Sequence, residues 1–145
     1  MGPIVVAVGR SGLSERMVET VVRLAGTGDR QVAAVMVVHV ARIWGTALGI
    51  QHPALQPSTG ERSAAQDVVM RAALQLRAHG IEVEAVVTSG RDTGKALAAT
   101  ARRAGASAIV VGRSSTGRLS RLLRGPDPAR MLLDRASCTL IAVRE

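Results

Sequence analysis

Ile109-Val110-Val111-Gly112-Arg113-Ser114-Ser115-Thr116-Gly117, with Gly125 further on, is the stretch that decides the fold of this chain. A short, wholly apolar, β-branched run ends on a glycine, and a loop of glycines and hydroxyls opens there. Such a run reads as a strand buried on both faces of a parallel sheet. Its carboxyl end is where an open α/β sheet presents loops to a ligand. Glycine lets backbone N–H groups approach an anion closely, and hydroxyls add further donors. Pro126-Asp127-Pro128 then stands where the loop would keep donating. The fold is plainer than the ligand.

The same grammar repeats upstream. Ile4-Val5-Val6-Ala7-Val8 is a short buried strand stopped by Gly9. Ser11 or Ser14 can cap a helix running to about Ala25, with Met17, Val18, Val21, Val22 and Leu24 on its inner face. Val32 to Val40 is a second apolar strand. From Ala41 to Gly60 no period holds, and Gly45, Gly49, Pro53 and Pro57 mark a long loop. Glu61 to His79 is helical, with Val68, Val69, Ala72, Ala73 and Leu76 recurring on one side, and Gly80 closes it. Ile81 to Val87 alternates at its start, as an edge strand does. Asp92 caps a helix that turns Leu97, Ala98 and Ala101 inward and ends at Gly105. Ala108 to Val111, the glycine-bearing loop, a short helix around Ala129 to Arg135 and a last strand complete the chain.

Strands and helices thus alternate, which predicts an α/β fold: an open five-stranded parallel sheet with helices on both faces, a Rossmann-like three-layer α/β/α domain. A single domain of 145 residues is large enough to bury a core. Two strands finish on glycine, Gly9 and Gly112, and are the natural walls of the ligand crevice.

Composition narrows what such a domain does. The chain is 47% hydrophobic with one Trp and no Tyr or Phe, so its core is built of Val, Ala, Leu and Ile. The net charge of +8 favours anions in general. Without aromatic platforms, stacking on nucleic acid is not expected. The lone Cys138 excludes a disulfide within the chain and reads as a small packing side chain. No apolar run reaches transmembrane length and no leader pattern is visible, so the chain reads as cytoplasmic, with no membrane partner.

Familiar chemistries are missing. Gly9-Arg10-Ser11-Gly12 lacks the glycines of a dinucleotide fingerprint, no acid follows Val40, and no Walker lysine follows a glycine loop. The carboxylates of a phospho-receiver domain are absent from Gly9-Arg10 and Thr88-Ser89. His39, His52 and His79 are scattered without metal-ligand spacing, and no metal is expected. No Ser-His-acid set suggests itself, so the chain is read as non-enzymatic. His39 reads as a packed strand-end histidine, and Trp44 as a hydrophobe that anchors the long loop.

Taken together, these stretches resemble the universal stress protein family across essentially the whole chain. Its nucleotide-binding members carry G-x2-G-x9-G-[S/T] after the fourth strand. Gly112 and Gly125 match the first and third glycines, Leu119, Leu122 and Leu123 fill the apolar positions between, and Ser137-Cys138-Thr139 stands near a family cysteine. Val37-Val38-His39-Val40-Ala41 looks like the family's second strand, and Gly90, Leu97 and Ala101 fit its third helix. The resemblance implies an adenine-nucleotide alpha-hydrolase-like fold and ATP as the candidate cofactor. It implies nucleotide- or anion-binding positions at Gly9, Val40, Gly112, Arg113, Ser114, Ser115, Thr116, Gly117 and Gly125. It also implies a homodimer formed through the last strand at Leu140, Ile141, Ala142 and Val143, which would otherwise be an open edge.

Departures from the family pattern weigh against ATP in its usual pose. Gly9 replaces the aspartate that binds the nucleoside, and Ser115 replaces the second glycine. Pro126 and Pro128 occupy hydroxyl positions and remove two N–H donors. Asp127 puts a negative charge near the β- and γ-phosphates. The reading is therefore a non-catalytic, dimeric stress-response module with a degenerate nucleotide crevice and no assured cofactor. Two others stay open. One is an ATP-binding member, slowly hydrolysing, with Gly112, Ser115, Gly117 and Gly125 on the phosphates. The other is a module that binds a small anion or an acidic partner through Arg113, Arg118, Arg121, Arg124, Arg130 and Arg135, a set that serves equally as a solvated face.

Overall fold

The structure, a computed structural model, describes residues 2–42, 59–113 and 138–144. Five strands form one sheet: β1 (Ile4–Ala7), β2 (Val35–Arg42), β3 (Val83–Gly90), β4 (Ala108–Arg113) and β5 (Thr139–Arg144). Their order is β3-β2-β1-β4-β5, and every pairing is parallel. Three helices connect them: α1 (Glu15–Ala25), α2 (Thr59–Arg77) and α3 (Thr93–Ala104).

Alternation along each strand divides the core in two. Ile4, Val6 and Val8, with Val35, Val37 and Val110, pack against Met17, Val18 and Val21 of α1 and Val68, Val69, Ala72 and Leu76 of α2. Val5, Val38, Ile109 and Val111 point the other way, onto Leu97 and Ala101 of α3. Each such side chain, fully buried, contributes about 1.5–3 kcal/mol. Right-handed crossovers account for the layering. The chain steps from β1 to β2 to β3 in one direction, which leaves α1 and α2 on one face. It then crosses back past β1 to β4, which sends α3 to the opposite face.

Caps fall where the sequence places them. Ser14 Oγ accepts the Met17 N–H at 3.2 Å, and Asp92 Oδ1 accepts the Lys95 N–H at 3.1 Å. Gly105, in the left-handed region at φ 64°, ends α3.

Several expected boundaries move. Val32 is not in β2 but 69% exposed, because the chain makes a 3-10 turn at Gly28–Arg30 and the strand starts only at Val35. The Gln31 side chain bridges the entrance to the sheet, accepting the Glu82 N–H at 2.9 Å and donating to the Glu82 carbonyl at 3.1 Å. Ile81 precedes β3 and is buried beneath the end of α2, whose Leu76 carbonyl accepts its N–H at 3.3 Å. Leu24, expected inside, is 39% exposed; one residue on, Ala25 takes the inner position. β2, β3, β4 and β5 all run beyond their apolar runs into polar residues, since ladder pairing continues past the covered region. The expected helix around Ala129 to Arg135, most of the loop from Ala41 to Gly60, and Trp44 lie outside the described residues.

Candidate functional site

Strand order reverses between β1 and β4. β1 has β2 on one side and β4 on the other, which makes the carboxyl ends of β1 and β4 the switch point where an open α/β sheet places its crevice. Register fixes what lines its rim. Ala7 pairs with Val38, and Val6 pairs with Val110. Carried past the last paired residues, these offsets run Val8 towards His39 and Gly112, and Gly9, where β1 has already ended, towards Val40 and Arg113. The structure therefore brings Gly9, Val40, Gly112 and Arg113 to one carboxyl-end rim. Ser114, Ser115, Thr116, Gly117 and Gly125 lie outside the described residues, as do Arg118, Arg121, Arg124, Arg130, Arg135 and the Pro126-Asp127-Pro128 segment.

One expectation needs correcting at each wall. β1 ends at Ala7, before its glycine. The backbone then turns back, with the Gly12 N–H donating to the Gly9 carbonyl at 3.0 Å and Gly12 at φ 80°, a conformation that favours glycine. Gly112 does not end β4 either. It lies inside the strand, paired with Val143 of β5, and the ladder continues through Arg113 and Arg144. A strand survives past its apolar run when a neighbour keeps pairing with it. β4 continues along β5, whereas β1, although flanked by β2 and β4, leaves the ladder because its backbone turns back at Gly9–Gly12.

Gly9 leaves open space. A Cβ built there meets nothing within 4 Å among the described residues, and its backbone lies outside the left-handed region, so these residues leave room for a side chain that the sequence does not supply. Val40 is buried beside it, on the α3 side by alternation with Val38. His39 behaves as a strand-end residue with a definite task. Its Nδ1 lies 2.7 Å from the Val8 carbonyl oxygen. A carbonyl only accepts, so Nδ1 carries the hydrogen. The bond supplies a partner just where the β1 ladder stops. Nothing in the sequence announces it, because the partners are 31 residues apart.

Cys138 is half-buried against Leu140, Ile109 and their neighbours, and burial pushes its thiol up from the ordinary value. The protonated thiol is a poor nucleophile, in keeping with a packing role. No group of three or more His, Cys, Asp or Glu side chains is arranged for a metal among the described residues. No helix among them is long and apolar enough to cross a membrane.

Residues 1–144 match the profile of the universal stress protein family. The chain belongs to that family. No curated protein matches it significantly. Among solved structures it is similar to a universal stress protein from Archaeoglobus fulgidus, at 22% identity and a TM-score of 0.67 over 99% of this chain and 93% of that one. The Archaeoglobus fulgidus universal stress protein in complex with dAMP gives 21% identity and a TM-score of 0.64, with 99% and 98% covered. A universal stress protein family protein from Arabidopsis thaliana with AMP bound gives 15% and 0.64, with 100% and 92% covered. At these identities the likeness is one of fold, and the sheet order of this universal stress protein is the part of that fold on which a crevice depends.

Proposed function

We infer that this universal stress protein is a non-catalytic, homodimeric stress-response module whose β1–β4 crevice holds adenine nucleotide weakly. One observation carries the reading. At the carboxyl end of β1, Gly9 leaves a position open among the described residues, where the family resemblance implies an aspartate that hydrogen-bonds the nucleoside. The described residues thus do not complete a nucleotide site. Pro126, Pro128 and Asp127 weigh in the same direction by removing N–H donors and adding negative charge.

Dimerisation is proposed through the free edge of β5. Leu140, Ile141 and Val143 are half-buried against the chain's own core, on both faces of the sheet. What β5 offers a partner is therefore chiefly its backbone edge, with the exposed Ala142 along it.

The second reading, an ATP-binding member, is favoured by the similar structures described with dAMP and AMP. In that reading the Ser114 to Thr116 hydroxyls and the neighbouring arginines replace the missing donors. Titration calorimetry with ATP and magnesium separates the two. The wild-type protein is expected to bind in the millimolar range. Gly9→Asp, which fits without a clash, is expected to bind at least about tenfold more tightly through one recovered charge-assisted hydrogen bond of about 1.5–3 kcal/mol. Micromolar binding by the wild type favours the second reading.

A further inference from the structure

A second polar recess lies on the α1/α2 side of the sheet, where the loop that follows Gly9 meets α2. The loop between β1 and α1 leans on α2 and is clamped there by one side chain. Gln75 Oε1 accepts the Leu13 N–H at 3.4 Å, and Gln75 Nε2 donates to the Leu13 carbonyl at 3.2 Å. Between loop and helix is an open groove of about 230 Å³, lined by Arg10, Ser11, Gly12, Val68, Arg71 and Gln75.

The lining is one-sided in its chemistry. Two guanidiniums arrive from different elements, Arg10 from the loop and Arg71 from α2, and no lining residue is acidic. Among the described residues neither arginine is hydrogen-bonded or ion-paired, and the Ser11 hydroxyl has no partner. Asp67, one turn before Arg71 on α2, forms no ion pair with it. Gln75 Nε2 keeps one hydrogen beyond the one given to Leu13. The groove therefore presents donors and positive charge. Its complement is an acceptor-rich anion, and guanidinium forks match phosphoryl oxygens best. The volume is below the roughly 300 Å³ at which sites for larger ligands begin, so a body the size of a sugar fits better than a whole nucleotide.

We propose that this groove binds the phosphoryl group of a small phosphate ester, with Arg10 and Arg71 as its cationic jaws, independently of the crevice. The Gln75 clamp ties the loop bearing Arg10 to α2 at Leu13, so the backbone that carries the two arginines is placed before the ligand arrives.

Calorimetric titration at low salt tests this with ribose 5-phosphate, inorganic phosphate and ribose as probes, on the wild type and on Arg71→Gln. The ester is expected to bind in the millimolar range or better, inorganic phosphate more weakly, and ribose not at all. Arg71→Gln is expected to weaken the ester about tenfold while leaving any binding of AMP as in the wild type. Absence of binding by the ester overturns the proposal. So does equal affinity in the two proteins, which locates the ester elsewhere. Inorganic phosphate binding as tightly as the ester overturns the assignment of an ester. Loss of AMP binding along with the ester removes the independence of the two sites.

Discussion

The two strands that flank the crevice are held in different ways. β4 keeps its ladder to the rim, six residues paired in register with β5 through Arg113 and Arg144. β1 is paired on both sides, at four positions with β2 and three with β4, but stops at Ala7; beyond it the Val8 N–H still donates to the Val38 carbonyl, and a tight turn and side chains take the groups that follow. His39 caps the Val8 carbonyl, and Gln75 holds both backbone groups of Leu13. Both walls rest on backbone ladders, but at the rim one continues by backbone repetition and the other by a turn and a few side-chain hydrogen bonds. The rungs of a ladder use only main chain, so its side chains matter through the core they enter. The β1 wall depends on particular residues.

The largest effect is expected from attacking the ladder wall where its side chains enter the core. Ile141, half-buried against the α1 side, becomes a partly buried, unpaired carboxylate in Ile141→Asp, at a cost of about 3–5 kcal/mol. Denaturant unfolding is expected to show that loss, or the protein to be recovered insoluble. A loss under about 1 kcal/mol would mean that β5 contributes little to the β4 wall.

On the other wall, His39→Ala leaves the Val8 carbonyl without its partner. The expected cost is about 1–3 kcal/mol, a fall in Tm of several degrees for a domain of this size. His39→Gln, which can still donate, is expected to recover part of it. Equal stability of His39→Ala and wild type would contradict the distinction between the walls.

Ala142→Pro probes the outer edge of β5 with less disturbance. The Thr139 N–H points inward, to the Ser107 carbonyl at 3.3 Å, so alternation in a parallel ladder turns the Ala142 N–H outward. Proline there removes a donor only from the free edge. Sedimentation is expected to show a dimer weakened by about 1–3 kcal/mol, from two symmetry-related bonds, with the fold intact. An unchanged dimer would move the interface away from β5.

The smallest effect concerns Cys138, on the same wall. Its folded thiol is raised above the value of 9.0 by burial, so the fold favours the protonated form. That contribution is full below the unfolded value and is lost as pH rises through the folded one. Cys138→Ala is therefore expected to flatten a slight alkaline fall in stability. Labelling by a thiol reagent at neutral pH is expected to be slower than for free cysteine, and rapid labelling would contradict it.

Much of the fold was legible in the residues. β-branched runs named the strands, Asp92 named one helix start and Ser11 or Ser14 another, of which Ser14 is the cap, and Val68 through Leu76 named the inner side of α2. The strand ends were not legible. Thr88, Ser89 and Arg113 are polar, and only the neighbouring strand keeps them in the ladder. Within the site, Gly9 and Gly112 were visible as breaks in apolar runs, yet neither is the last residue of its strand. The His39 and Gln75 bonds join residues 31 and 62 positions apart, a separation at which local pattern carries no signal.

Native mass spectrometry of the wild-type protein as purified tests the central claim most directly, because subunit number and retained ligand appear in one spectrum. The account predicts a species at twice 15.1 kDa with no nucleotide mass added. A monomer, or a dimer carrying the mass of one adenine nucleotide per subunit, would contradict it.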